Sequence, residues 1–164
     1  MKDNSMEYMP TQERTGITYT NTITQESANS LRASVGFRRI HPEQLQASLD
    51  GSALIVAAYD QDRAVGMARL IWDGGSAALV CDVIVVPDFQ MQGIEAELIK
   101  RIFDFLNSKL HPGFGIQIDV MAWDNQIKIY DDLGFQTSIP QRRGVPMHIC
   151  LTNQIELTDA MFQQ

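Results

Sequence analysis

The sequence predicts an α/β domain, and three observations predict it. Three β-rich runs, 53–59, 64–72 and 76–86, are separated only by turns at 60–63 and 73–75, the pattern of an antiparallel meander. Two helical segments precede that meander. The apolar run Val83 to Val86 then stops at Pro87 and feeds, through a short polar turn, into a long amphipathic helix. At 164 residues the chain fits one domain, and its 45% hydrophobic content supplies a sizeable core. Residues 1–15 are polar and carry Pro10, which suits a flexible tail; 16–164 is then the domain.

The elements follow in order. Ile17 to Ile23 alternates apolar residues with Thr and Tyr, a first strand. Thr24 precedes a helix over 25–35, with Glu26 near its front, Leu31 and Val35 on one face and Gly36 as its stop. A second short helix spans 41–49, with Pro42 in its first turn. The meander comes next. Val83, Ile84, Val85 and Val86 are stiff at χ1 and favour a strand covered on both faces. Ile94, Leu98, Ile102, Phe105, Leu106 and Leu110 recur at spacings of three and four, so a helix follows Gly93. Glu95 and Glu97 sit in its first turn, where the helix dipole favours them. A fifth strand over 115–122, a short helix around 125–133 stopped by Gly134, and two closing strands near 135–139 and 147–152 complete the order βααβββαβαββ.

The strand–turn–helix at 82–98 carries the chemistry. The first N–H groups of a helix have no partner within it, so this turn presents amide donors to an anion. Gly93 permits a tight turn and a close ligand approach. On these residues alone, a plain β–α connection without ligand remains open. No Gly-x-Gly-x-x-Gly or Gly-x-x-x-x-Gly-Lys pattern occurs anywhere.

The run Val83-Ile-Val-Val-Pro-Asp-Phe-Gln-Met-Gln-Gly-Ile94 resembles motif A of the GCN5-related N-acetyltransferases, the GNAT family: a strand, then Gln/Arg-x-x-Gly-x-Gly/Ala opening a helix. Gln90 and Gly93 match the first and fourth signature positions. Ile129-Tyr-Asp-Asp-Leu-Gly-Phe135 resembles the family's Phe-Tyr-Glu-x-Leu-Gly-Phe, in the family's order and at about its separation. The resemblance covers roughly residues 50–150. Two positions depart from it. The sixth signature residue is Glu95 instead of Gly or Ala, and Trp123 stands where many relatives carry Asn, with Asn125 two residues on.

The resemblance implies a mixed, mostly antiparallel sheet of six to seven strands with helices on both faces. It implies acetyl-CoA as cosubstrate, its pyrophosphate on the amides of Gln90, Met91, Gln92, Gly93, Ile94 and Glu95, with a side-chain donor from Gln90 and a weaker carry-over to Asn125. The pantetheine arm would run along Val83, Ile84 and Val85, which requires the fifth strand to splay away there. The acceptor amine would attack the thioester directly in a ternary complex. Tyr130 falls on the family's thiolate-facing position and is the candidate acid; a merely packing tyrosine is the alternative. Asp82, before the apolar strand core, is the candidate base, because near-burial can raise a carboxylate toward working pH. Its alternatives are an anchor at a bulge or a partner for a nearby arginine.

Other residue types point elsewhere. Cys81 and Cys150 form no Cys-x-x-Cys pair and read as reduced core thiols. His41, His111 and His148 are scattered, so no metal site is expected. Arg142 and Arg143 either line an acceptor mouth, touch the 3′-phosphate of coenzyme A, or lie in a solvated loop, the favoured reading. The net charge of −7 argues against non-specific binding to nucleic acid or an anionic membrane. No apolar run is membrane-length and no secretory signal is evident, so a cytoplasmic protein is the expectation. The expected partner is a small-molecule or peptide amine; a homodimer through exposed sheet edges is plausible. A catalytically weak acyl-CoA-binding module and a non-enzymatic interaction protein stay open as alternatives.

Overall fold

The structure, a computed structural model, describes residues 16–136. The expected tail over 1–15, the strand expected near 147–152, His148, Cys150, Arg142 and Arg143 fall outside the described residues. Five strands and four helices are present among those described: β1 (Ile17–Thr20), α1 (Gln25–Ser34), α2 (Pro42–Asp50), β2 (Leu54–Asp60), β3 (Arg63–Trp72), β4 (Ala77–Val85), α3 (Ile94–Asn107), β5 (Gln117–Val120) and α4 (Ile127–Asp132). Five of the expected six to seven strands lie among the described residues, which do not confirm the higher count. Phe135 and Gln136 are described and are not strand, and the rest of 135–139 lies outside.

The sheet order is β1-β2-β3-β4-β5; the first three pairings are antiparallel and β4–β5 is parallel. Successive strand side chains face opposite sides. Val65 to Leu70 is buried without a break, so both faces of β3 are covered. A Cβ on Gly66 would touch Ile94 of α3, whereas Arg69, of opposite parity, reaches Ser48 and Ser52 at the end of α2. Helices thus pack on both faces, as the resemblance implied.

Local signals explain most boundaries. Thr24 caps α1 by accepting from the Ser27 N–H at 3.1 Å. α3 buries Ile94, Leu98, Ile99, Ile102 and Leu106 and ends at Asn107, three residues short of the expected Leu110. Past Asn107 the backbone tightens into i→i−3 bonds, Lys109 N–H to Leu106 and Leu110 N–H to Asn107, so Leu110 leaves the apolar face and is exposed. The helix expected over 125–133 is a 3-10 turn at Asp124–Gln126 followed by α4, closed by Gly134 at φ +88°.

Candidate active site

Two irregularities in β4 build the site. The first is a bulge. Met67 pairs with Ile84 and Arg69 with Cys81, so β4 spends one residue more than β3 over this stretch, and Asp82 takes φ +50°. The second is an early end to the β4–β5 ladder, whose last pair is Val80–Val120, while β4 runs on to Val85. The strands separate just where the pantetheine arm was expected. Val86 N–H bonds to Val65 O at 2.9 Å on the β3 side. Counting back with strand alternation, Val85 and Val83 direct their N–H groups to the opposite, open edge.

A narrow cleft of about 50 Å³ lies at this separation. Its walls include Phe37, Cys81, Asp82, Val83, Met121, Trp123 and Tyr130. A larger hollow of about 420 Å³, beside Trp72, His111 and Phe114, lies toward the other end of the sheet and shares no residue with the cleft. The separation of β4 from β5 and the N-terminus of α3 lie toward the cleft, which makes the cleft the candidate site.

The open edge leads into the turn after β4. Pro87–Phe89 form a 3-10 turn, Met91 takes φ +58° at the exposed apex, and Gly93 takes φ +82° as N-cap of α3. The N-cap Gly93 offers α3 no side-chain cap; the Glu95 N–H donates to its own carboxylate, and the amides beside it can meet an anion. Gln90 plays a different part from the one expected. Its Nε2 donates to Val85 O at 2.9 Å, and Gln92 Nε2 donates to Asp88 O at 2.9 Å. Both glutamines brace the turn from within, leaving the cup to main-chain donors, Ile94 and its neighbours among them.

Glu95 is half-buried in that first turn. Burial pushes its carboxyl up from the ordinary value, and its own backbone N–H, donating to the carboxylate, only partly offsets the rise. The side chain therefore sets a carboxyl in the first turn of α3 that keeps its proton to higher pH than an ordinary glutamate. The residues present fit a diphosphate through their amides, with the Glu95 carboxyl as the one group that opposes it.

Tyr130, on α4, is 4% exposed and lines the cleft. Its ring meets Phe135 edge-on at 5.5 Å. Burial first, then the charge of Glu95, pushes its hydroxyl up to about 12, so it stays a proton donor at any working pH. Asn125 lies in the turn before α4; its side chain is outside the described residues.

Asp82, the expected base, is paired with two arginines. Arg32 Nη1 and Arg69 Nε donate to its two carboxylate oxygens, the second at 2.7 Å, and Arg69 Nη1 continues to Ser48 O and Ser52 Oγ. The carboxylate ties α1, α2 and β3 to the bulge of β4, the arginine pairing that was one of its alternatives. Sequence patterning could not find Arg32 and Arg69, which lie 50 and 13 residues away.

Comparison with known proteins decides the family. Residues 10–153 match the model of the acetyltransferase (GNAT) domain. The chain belongs to the GNAT family. It is 33% identical over 86 residues to GCN5-related N-acetyltransferase 1, chloroplastic, of Arabidopsis thaliana, which covers 51% of this chain and 44% of that protein. It is 27% identical over 122 residues to histone acetyltransferase TAP1 of Glycine max, covering 68% and 51%. The chain spans about half the length of these relatives. A probable acetyltransferase from Staphylococcus aureus superposes with TM-score 0.72 at 24% identity, covering 81% of this chain and 99% of that one, which shows the shared fold. Within this GNAT domain no group of three or more His, Cys, Asp or Glu among the described residues could hold a metal ion.

Proposed function

We propose that the protein is an N-acetyltransferase that transfers an acetyl group from acetyl-CoA to a primary amine by direct attack in a ternary complex. The observation that carries this reading is continuity. The open edge of β4 beyond Val80 leads straight to the uncapped N-terminus of α3, with Tyr130 beside it. The cosubstrate supplies an activated thioester.

The chain's residues do the remaining work. The free amides at the start of α3 hold the diphosphate, and the glutamine-braced turn keeps them in place. The outward N–H groups of Val83 and Val85 align the arm, and an amide at the bulge polarises the thioester carbonyl. The acceptor nitrogen bonds to the acetyl carbon as the carbon–sulfur bond breaks. Tyr130 protonates the departing sulfur and regains a proton from solvent. The ammonium gives up its proton through water, since Asp82 is engaged by two guanidiniums.

Calorimetry with acetyl-CoA, followed by thiol release with a panel of amines, tests the reading. Binding with turnover is expected; absence of binding refutes it. Glu95 favours a second reading, a catalytically weak acyl-CoA-binding module of the same fold. Tight binding without thiol release from any amine would select it.

A further inference from the structure

Behind the cleft, Arg32 joins two of its walls. Its guanidinium is not part of the lining, but it touches two residues that are, Asp82 and Phe37. Arg32 Nη1 donates to Asp82 Oδ1, and Arg32 Nε donates to Arg38 O at 3.2 Å. The guanidinium carbon lies 5.5 Å from the Phe37 ring centre, and Arg32 O accepts the Phe37 N–H at 2.9 Å. One residue therefore grips the segment after α1 and the bulge of β4 at once. Phe37 in turn meets Trp123 across the cleft, with ring centroids 5.9 Å apart and planes inclined at 39°. Asn29 pins the far end of the same segment, donating to Ile40 O at 2.8 Å and accepting the Ile40 N–H at 2.9 Å.

The bulge needs such a hold. At φ +50° Asp82 takes a conformation that residues other than glycine keep only when their surroundings fix it. Val83 follows, with its N–H toward the open edge. Two donors on the two carboxylate oxygens fix the Asp82 side chain, and with it the peptide plane that carries the Val83 N–H. The side chains of Arg32 and Asp82 are 15% and 11% exposed, so water competes little for their bond. The two arginines are not equivalent. Arg69 is spent on the scaffold, bonding Ser48 O and Ser52 Oγ besides Asp82. Arg32 is the one that also reaches the cleft wall, through Phe37 and Arg38.

We propose that Arg32 is a positioning residue. Through Asp82 it aims the bulge amide at the thioester carbonyl, and through Phe37 and Arg38 it sets the wall past which the amine approaches. The inference rests on the transferase reading and adds to it a residue, outside both family motifs, that governs turnover without touching either substrate.

The test uses Arg32→Met and Arg32→Lys, with acetyl-CoA isotopically labelled at the thioester carbonyl. Arg32→Met keeps the apolar stem, and Asp82 keeps Arg69 as its counter-charge, so the variant retains its fold. Infrared difference spectra without amine read the polarisation of the bound carbonyl directly. In the parent the stretch should lie below that of free acetyl-CoA; in Arg32→Met it should move back toward the free value. The kcat of Arg32→Met, per folded protein, should fall at least about tenfold, while Kd for acetyl-CoA stays within about twofold because the amides of α3 are untouched. Arg32→Lys should recover most of the carbonyl shift, since an ammonium can still meet Asp82. It should raise KM for the amine about fivefold, since one ammonium lacks the fork that also holds Arg38 O. A parental stretch or a parental kcat in Arg32→Met overturns the proposal; if that variant does not fold, a parental KM in Arg32→Lys overturns it. These outcomes leave the transferase reading standing. A parent that fails to bind acetyl-CoA or to turn over any amine overturns that reading and this inference with it.

Discussion

Replacing Glu95 by Ala restores the residue type that the family signature carries at this position, and it should strengthen cofactor binding. The carboxyl is held by its own backbone N–H, within the same first turn whose amides would hold a diphosphate. An anion on the neighbouring amides then lies about 5 Å away. Two unit charges at that distance repel by about 3 kcal/mol at an effective dielectric of 20 and by about 0.8 kcal/mol in bulk water. Glu95 is half-buried, so about 1.4 kcal/mol is the reasonable middle, a tenfold change in Kd. Loss of a first-turn acid costs the helix only about 0.3–1 kcal/mol, so the variant remains folded. The sign with pH follows from the raised carboxyl: as pH falls, Glu95 becomes neutral sooner than an ordinary glutamate and the repulsion disappears. Titration calorimetry with coenzyme A at pH 8 and pH 5 reads both effects. The Ala variant should bind about tenfold more tightly at pH 8, and the advantage should shrink at pH 5. Comparison with the parent at each pH cancels titration of the ligand's own phosphates. Equal Kd values at pH 8, or an advantage that does not change with pH, would refute the placement of this carboxyl against the diphosphate.

Other perturbations probe the rest of the site. Tyr130→Phe should lower kcat by about a hundredfold while Kd for acetyl-CoA stays within about twofold; with the hydroxyl at about 12, the parent's kcat should show no alkaline limb below pH 10 that the variant loses, and finding one would remove the assignment. Gly93→Val forces a β-branched residue to φ +82°, so denaturant unfolding should show a loss of about 1–2 kcal/mol and calorimetry a severe loss of cofactor affinity; parental values for both would count against the turn as the cradle. Asp82→Asn leaves two buried guanidiniums without their counter-charge and should cost about 3 kcal/mol in chemical denaturation, and a cost below about 0.5 kcal/mol would show that the bridge does not hold α1 and β3 to β4.

Much of this molecule was legible in its linear order. Thr24, Pro42, Pro87, Gly93 and Gly134 act within a few residues of themselves, through a cap, a fixed φ or a left-handed turn. The periodicity of Ile94, Leu98 and Ile102 is equally local, so helices, strands, meander and the amide-bearing turn could be placed before any coordinates. The ordered pair of motifs also marked Tyr130 and its neighbourhood. Contacts between distant segments could not be read that way. Arg32 and Arg69 meet at Asp82 only because α1 packs across β3 and β4, and that meeting gives the expected base two cationic partners. Gln90, whose side chain was expected to donate to a ligand, and Gln92 satisfy nearby carbonyls because the 3-10 turn brings Val85 O and Asp88 O within reach. Phe37 and Trp123 are 86 positions apart, and neither belongs to a motif. Their pairing exists because β5 leaves β4 after Val80, and a ladder ends where side chains from several elements jointly make separation cheaper than continued pairing. Spacing along the chain decides backbone geometry; the protonation, pairing and accessibility of a side chain depend on its whole surroundings, which only the folded state assembles.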